Sequence, residues 1–179
     1  MTLNLTLAGV VIVCLVLLYR YGRQFALAGE PGLPFELRRA ELIYAEQTFQ
    51  TGGLPRLRAR VDRAYRKSNG TYVLLELKTR KRRVAYLSDV IELSAQRVAL
   101  MEQESAAVAA YGYVLTQHAS GRWLGTVRVS LLNVQQVYEL MNRRSAVMAD
   151  QALAKANGFP YLCPNCLHRS KCMLTAGHG

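Results

Sequence analysis

Apolar positions fall into distinct regimes along the chain. From Leu3 to Tyr19 (LNLTLAGVVIVCLVLLY) they run almost uninterrupted, and residues 1–19 hold no Lys, Arg, Asp or Glu. From Phe35 to Phe49 (FELRRAELIYAEQTF) they recur at helical spacing, with Leu42, Ile43, Tyr44 and Phe49 on or near one face. That spacing predicts a helix, ended by Thr51-Gly52-Gly53-Leu54-Pro55. Leu57 to Tyr65 then alternates apolar and polar residues as a half-buried strand does. Ser68-Asn69-Gly70 is a hairpin turn, and Thr71 to Thr79 (TYVLLELKT) makes a second, more buried strand. Ser88 to Glu104 reads as a helix, with Asp89 and Glu92 as a capping pair at its start. Tyr111 to Thr116 and Trp123 to Leu131 are two further strands turning at Ala119-Ser120-Gly121. Asn133 and Gln136 cap a last helix that runs to about Asn157. Strands interleaved with helices put the soluble part in the α/β class.

The uncharged N-terminal run is a membrane signal. Seventeen helical residues span about 26 Å, at the short end for a bilayer core of about 30 Å. Tyr19 and Tyr21 sit where interfacial aromatics belong, and Arg20, Arg23, Arg38 and Arg39 follow with nothing basic before the run. The positive-inside rule then places the N-terminus outside and the remainder in the cytoplasm. A cleaved signal peptide is the rival, with Ala26-Leu27-Ala28 resembling a cleavage site, but its positive charge would precede the apolar stretch rather than follow it. The expected organisation is an anchor over 1–23, a Gly- and Pro-containing linker over 24–34, an α/β domain over 35–158, and a cysteine-containing tail over 159–179.

Charge narrows the choice of partner. The 179 residues carry a net charge of +11 and are 51% hydrophobic, which excludes a disordered chain and leaves room for one ordinary domain. Residues 20–83 hold fifteen basic and six acidic residues, a net of +9, so the positive charge is concentrated in the first part of the soluble region. Such a bias favours a polyanion, either nucleic acid or an anionic membrane face. The run Arg80-Lys81-Arg82-Arg83 directly follows the second hairpin strand, where a phosphate backbone would pass. Four cysteines are too few for a disulfide-dense secreted scaffold.

Chemistry concentrates in the hairpin. Glu76 and Lys78 are two positions apart on one strand, so both side chains leave the same face of the sheet, and Asp62 approaches Glu76 across the hairpin. Two carboxylates and a neighbouring backbone carbonyl form an oxygen-rich site suited to Mg²⁺ or Mn²⁺. Lys78 beside them can orient a nucleophilic water or stabilise charge developing on a phosphate.

Asp62 followed by Tyr72-Val73-Leu74-Leu75-Glu76-Leu77-Lys78-Thr79 resembles the D…(D/E)xK core of the PD-(D/E)XK nuclease superfamily. Within it the chain is most similar to the RecB-like branch, which includes the CRISPR-associated RecB-like exonucleases. That branch carries a Gln-x₃-Tyr pattern on the next helix. Gln96 stands at the Gln position, whereas Leu100 replaces the Tyr. The resemblance covers roughly residues 36–172. It implies a restriction-endonuclease-like core, a mixed sheet flanked by helices, that hydrolyses phosphodiester bonds in DNA. It further implies Asp62, Glu76 and the Leu77 carbonyl as metal ligands, Lys78 as the catalytic lysine, and Gln96 as a residue positioning Lys78 or the substrate. An acidic residue from the first helix completes such sites; Glu41 is preferred here over Glu46. Arg80, Lys81, Arg82 and Arg83 become nucleic-acid contacts.

Many of these nucleases bind a 4Fe–4S cluster with a C-terminal cysteine trio and a fourth cysteine nearer the N-terminus. Cys163-Pro164-Asn165-Cys166 with Cys172 matches the trio. Cys14, inside the apolar run, is the one other cysteine, so the family's fourth ligand is absent. Clustered cysteines in a reduced compartment favour a metal over disulfides. Either an iron–sulfur cluster or a Cys₃His zinc site with His168 as the nearest further ligand suits them. The departures at Leu100 and at the fourth cysteine keep a second reading open, a non-catalytic nucleic-acid-binding or scaffold protein at the membrane with a degenerate nuclease fold.

Overall fold

The computed structural model describes residues 12–15, 32–155, 163, 164, 166, 167 and 169. By internal packing the chain divides into two compact units, residues 1–138 and 139–179.

Five strands form one mixed sheet in the order of the chain: β1 (Glu41–Gln50), β2 (Arg58–Arg66), β3 (Tyr72–Thr79), β4 (Val108–Gln117) and β5 (Trp123–Ser130). β1/β2, β2/β3 and β4/β5 are antiparallel, whereas β3/β4 is parallel. A parallel pair needs a crossover, and helix α1 (Leu87–Glu104) supplies it. Helix α2 (Val134–Met148) follows β5.

The β2–β3 hairpin forms as its turn residues dictate. Gly70 takes φ of +81°, the left-handed region that glycine enters without penalty, and the Asn69 side chain accepts the Thr71 amide at 3.1 Å. At the far end, Asn133 and Gln136 exchange side-chain and backbone hydrogen bonds at 2.9 Å each, the expected reciprocal cap of α2. That helix stops at Met148, short of Asn157, and Asp150 follows with φ of +56°.

β3 is central, and the fold depends on it. Val73, Leu74, Leu75 and Glu76 are all buried, because both faces of the strand are covered. On one face, Leu93, Ala99 and Leu100 of α1 pack with Phe49, Val61, Ala64, Leu74 and Val114. On the other, Leu33 and Leu37, beside a 3-10 turn at Phe35–Leu37, close over Tyr65, Val73, Leu75, Tyr113 and Leu115. Glu36 ties that turn to the sheet through the hydroxyls of Tyr111 and Tyr113.

Two sequence expectations are corrected. Residues 35–49 are not one helix: only Phe35–Leu37 form a 3-10 turn, β1 pairs with β2 along its length, and Tyr44 stacks on Tyr72 with ring centroids 5.9 Å apart. Leu, Ala, Glu and Gln favour a helix locally, but the edge of β2 takes a partner, and tertiary pairing overrides propensity. A bulge between Leu42 and Tyr44, with Glu46 at φ of +55°, breaks the two-residue alternation that would have announced a strand. The second correction concerns the membrane. Among the described residues no helix is long and apolar enough to cross a bilayer, which overturns the expected single-pass topology with its domain held at the cytoplasmic side. A span needs about 20 apolar residues, and α1 and α2 both carry charged residues along their length. Of the apolar N-terminal run only residues 12–15 are described, as helix, and the rest of the 1–23 segment lies outside the described residues.

Close approach of β3 and β4 requires Gly112. A Cβ there would lie 3.1 Å from the Leu74 carbonyl oxygen, a backbone atom that cannot swing aside. Gly112→Ala is expected to destabilise the domain by about 1–3 kcal/mol. Gly53→Ala, with nothing within 4 Å of the added carbon, should stay within about 0.5 kcal/mol. Urea unfolding of the two variants beside wild type checks this, and equal midpoints would contradict the packing.

Candidate metal and phosphate site

The site forms where β2 peels away from β3. Backbone register between them runs from Arg66↔Tyr72 to Arg63↔Leu75, whereas β3 stays paired with β4 as far as Thr79↔Gln117. Two positions past the last registered residue of β3, the Leu77 amide donates to Asp62 Oδ2 at 2.9 Å instead of to a β2 carbonyl. A carboxylate has taken the place of a ladder bond, so Asp62 is held within one residue of Glu76.

Glu76 is 2% exposed, on a strand otherwise filled with aliphatic side chains. Both of its oxygens are engaged. Lys78 Nζ donates to Oε1 at 2.6 Å, and Gln96 Nε2 donates to Oε2 at 2.7 Å. Lys78 Nζ also donates to Glu92 Oε2 at 2.8 Å, so its ammonium bridges a strand carboxylate and a helix carboxylate. Burial pushes the Glu76 carboxyl up to about 7, against the opposing pull of Lys78 and Gln96, and the negative charges of Asp62 and Glu92 push the same way as burial. For Lys78, desolvation acts downward, but the hydrogen bonds to Glu76 and Glu92 outweigh it and hold the ammonium charged well above its ordinary range. Gln96 is itself buried, and its Oε1 has no hydrogen-bond partner.

The structure therefore brings together Asp62, Glu76, Leu77, Lys78 and Gln96, with one change of role: Gln96 orients Glu76 rather than Lys78. Glu41 is not among them. It stands opposite Arg66 and ion-pairs with it at 2.7 Å, four positions along β2 from Asp62, or about 13 Å at strand rise. Its assignment rested on a first helix that is a strand. Glu46 falls opposite Asp62 in the β1/β2 register, but its carboxylate pairs with Arg60. The third carboxylate of the cluster is Glu92, which the sequence reading took for a capping residue. The signal was its separation of four from Gln96, one helical turn on the same face.

Arg80 is also reassigned. Its guanidinium makes two bonds to buried Asp89, at 2.7 and 2.6 Å, and one to the Val84 carbonyl at 2.6 Å, while lying 4.5 Å from the centroid of the Tyr86 ring. Asp89, the third residue of α1, also accepts the Tyr86 amide at 2.7 Å, so one carboxylate caps the helix and anchors the loop that enters it. Arg80 is a structural clamp. Lys81, Arg82 and Arg83 are exposed on that loop, with the stem of Arg83 lying against Gly125 of β5. Because β2 runs antiparallel to β3, exposed Arg56 and Arg58 lie at this same end of the sheet, as does Arg122 in the β4–β5 turn.

In the tail, half-buried Cys163 and exposed Cys166 are joined by a hydrogen bond from the Cys166 amide to the Cys163 carbonyl at 3.2 Å. Cys172 and His168 lie outside the described residues. Among the described residues no three His, Cys, Asp or Glu side chains are grouped so as to hold a metal ion.

No family model matches the chain, and no curated protein matches it. Among solved structures it is similar to one titled "Crystal structure of SSO0001", with 14% sequence identity and a TM-score of 0.44 over 73% of this chain. The chain spans 59% of the length of that one.

Two predictions follow from the geometry. In metal-free protein Glu76 keeps its proton to a higher pH when folded than when unfolded, so the folded state binds more protons between about pH 4.5 and 7. Stability should therefore fall as pH rises through that window, and Glu76→Gln should remove the fall. Denaturant midpoints taken across the window in EDTA decide it; parallel curves for the two proteins would show Glu76 to be ionised throughout. Breaking the clamp with Asp89→Ala should cost about 3 kcal/mol, since it strands the Arg80 guanidinium, whose side chain is 16% exposed. Lys81→Ala should change the melting temperature little by comparison.

Proposed function

We propose that the chain is a metal-dependent DNA nuclease built on a PD-(D/E)XK-like core. The observation that carries this reading is the buried Glu76 carboxylate held between Lys78 and Gln96, with Asp62 bonded to the adjoining Leu77 amide where β2 leaves β3. An aliphatic strand does not keep an acid at 2% exposure without a compensating partner or use.

The donor set fits a hard divalent cation: Asp62 and Glu76 offer carboxylate oxygens, and the Leu77 carbonyl is the neighbouring backbone donor. Bound there, Mg²⁺ or Mn²⁺ would supply Lewis-acid polarisation of a phosphate and a water of lowered pKa. Gln96 fixes the Glu76 rotamer so that the carboxylate arrives oriented. With Glu76 engaged by a cation, Lys78 would keep its second carboxylate, Glu92. From there its ammonium can orient the attacking water and offset negative charge developing on the phosphate. Lys81, Arg82 and Arg83 on one side, and Arg56 and Arg58 on the other, bind a phosphate backbone across the same end of the sheet. In the tail, Cys163, Cys166 and Cys172 are proposed to hold an iron–sulfur cluster or zinc, with His168 as a further ligand.

Cleavage of labelled DNA with Mn²⁺ or Mg²⁺ tests the proposal. Asp62→Ala and Glu76→Ala are expected to lose both Mn²⁺ affinity and cleavage, whereas Lys78→Ala keeps the affinity and loses about 10²-fold or more in rate. Equal cleavage by wild type and Glu76→Ala would overturn the enzyme reading in favour of a non-catalytic nucleic-acid-binding protein.

A further inference from the structure

We propose that the second half of α2 carries a docking groove for a protein partner, a short acidic peptide segment that presents one bulky apolar side chain. The inference is independent of the nuclease reading and concerns residues that take no part in the candidate site. From Leu140 to Met148 no residue of α2 is buried. Leu140, Arg144, Val147 and Met148 nevertheless recur at helical spacing on one face, and an apolar stripe of that kind ordinarily turns to a core. Here it stays open, with Leu140 40% and Met148 70% exposed. Leu140, Val147 and Met148, together with Ala154 of the segment that follows, line a recess of about 300 Å³ within the second unit. Contiguous apolar surface left open around a recess marks a contact site.

Charge and shape choose the occupant. Arg143, Arg144 and Lys155 line the same recess, and among the described residues that line it there is no carboxylate. The occupant therefore brings both apolar surface and negative charge. A bare phosphate or a duplex backbone brings no apolar surface. An unpaired strand offers bases, but the lining is aliphatic and thioether, with no aromatic ring on which a base would stack. An anionic bilayer combines charge with apolar depth, but it takes up an apolar stripe lying in its own plane. The apolar residues here are set in a concavity between the helix and Ala154-Lys155, which a flat surface does not fill. An acidic peptide satisfies both demands. Its apolar side chain enters the recess, where the unbranched Met148 adapts to it. Its carboxylates pair with the guanidinium forks of Arg143 and Arg144 and with the Lys155 ammonium. The apolar anchor supplies most of the affinity, and the surrounding charges select an acidic partner over a neutral one.

The test uses the full chain and a short fluorescein-labelled peptide of Asp and Ser residues with a single Phe, read by fluorescence anisotropy. Wild type should bind it. Replacing the peptide's Phe by Ala, or its Asp residues by Asn, should each weaken binding roughly tenfold. Arg144→Ala and Met148→Ser should weaken it by a similar factor from the protein side. Arg39→Ala removes one exposed charge from the other unit and should leave the affinity unchanged. All three substitutions are at exposed positions, and their melting temperatures report on folding separately. No binding by wild type overturns the proposal, as does an Asn-substituted peptide that binds as well as its parent. Equal losses in Arg39→Ala and Arg144→Ala overturn it in favour of general charge attraction. Binding to phosphatidylglycerol vesicles that Met148→Ser abolishes, with peptide binding untouched, would give the groove to a membrane surface. Self-association that Met148→Ser abolishes, again with peptide binding untouched, would give it to a second copy of the chain.

Discussion

A carboxylate buried in the middle of an aliphatic strand is the constraint around which the rest of the domain is arranged. Glu76 cannot be left alone there, because an uncompensated charge in such surroundings costs several kcal/mol. Two elements answer that demand, β3 itself with Lys78 and α1 with Gln96, while Asp62 and Glu92 add negative charge beside it. The crossover imposed by the parallel β3/β4 pair is what puts α1 over this face of the sheet. Where β2 parts from β3, the Leu77 amide is left to Asp62. Topology and site chemistry are therefore two aspects of one arrangement.

The Arg80–Asp89 clamp governs how accurately α1 is placed. Gln96 and Glu92 lie within two turns of Asp89, so a shift of the helix start would move both away from Glu76 and Lys78. Arg80 leaves β3 immediately after the site strand, and its amide still bonds to Gln117 of β4. The strand that carries Glu76 and Lys78 thus also carries the residue that positions the helix opposite them.

The hairpin, the buried strand, α1 and the cap of α2 were legible in the sequence because their signals are local. A Ser-Asn-Gly turn, an apolar run too dense for a solvated strand, and reciprocal Asn133/Gln136 capping each have a short-range cause. The pair Asp62 and Glu76 was legible for the same reason, since a tight hairpin leaves little freedom of register. What escaped depended on distant partners. β1 looks helical by composition, and its bulge hides the alternation, so Glu41 was placed on a helix that does not exist. Glu92 and Arg80 look like surface charges until α1 is laid across the sheet, where one meets Lys78 and the other Asp89. The covering role of Leu33 and Leu37 has no local signal at all, because it lies in what they meet rather than in their own spacing.

The Lys78 bridge between Glu76 and Glu92 has a consequence for the life history of the protein. Carboxylates brought together with no cation among them would repel one another as the sheet and helix close. Here an internal counter-ion stands in. The sheet and α1 can therefore close on one another with the charge of both carboxylates offset from within the chain.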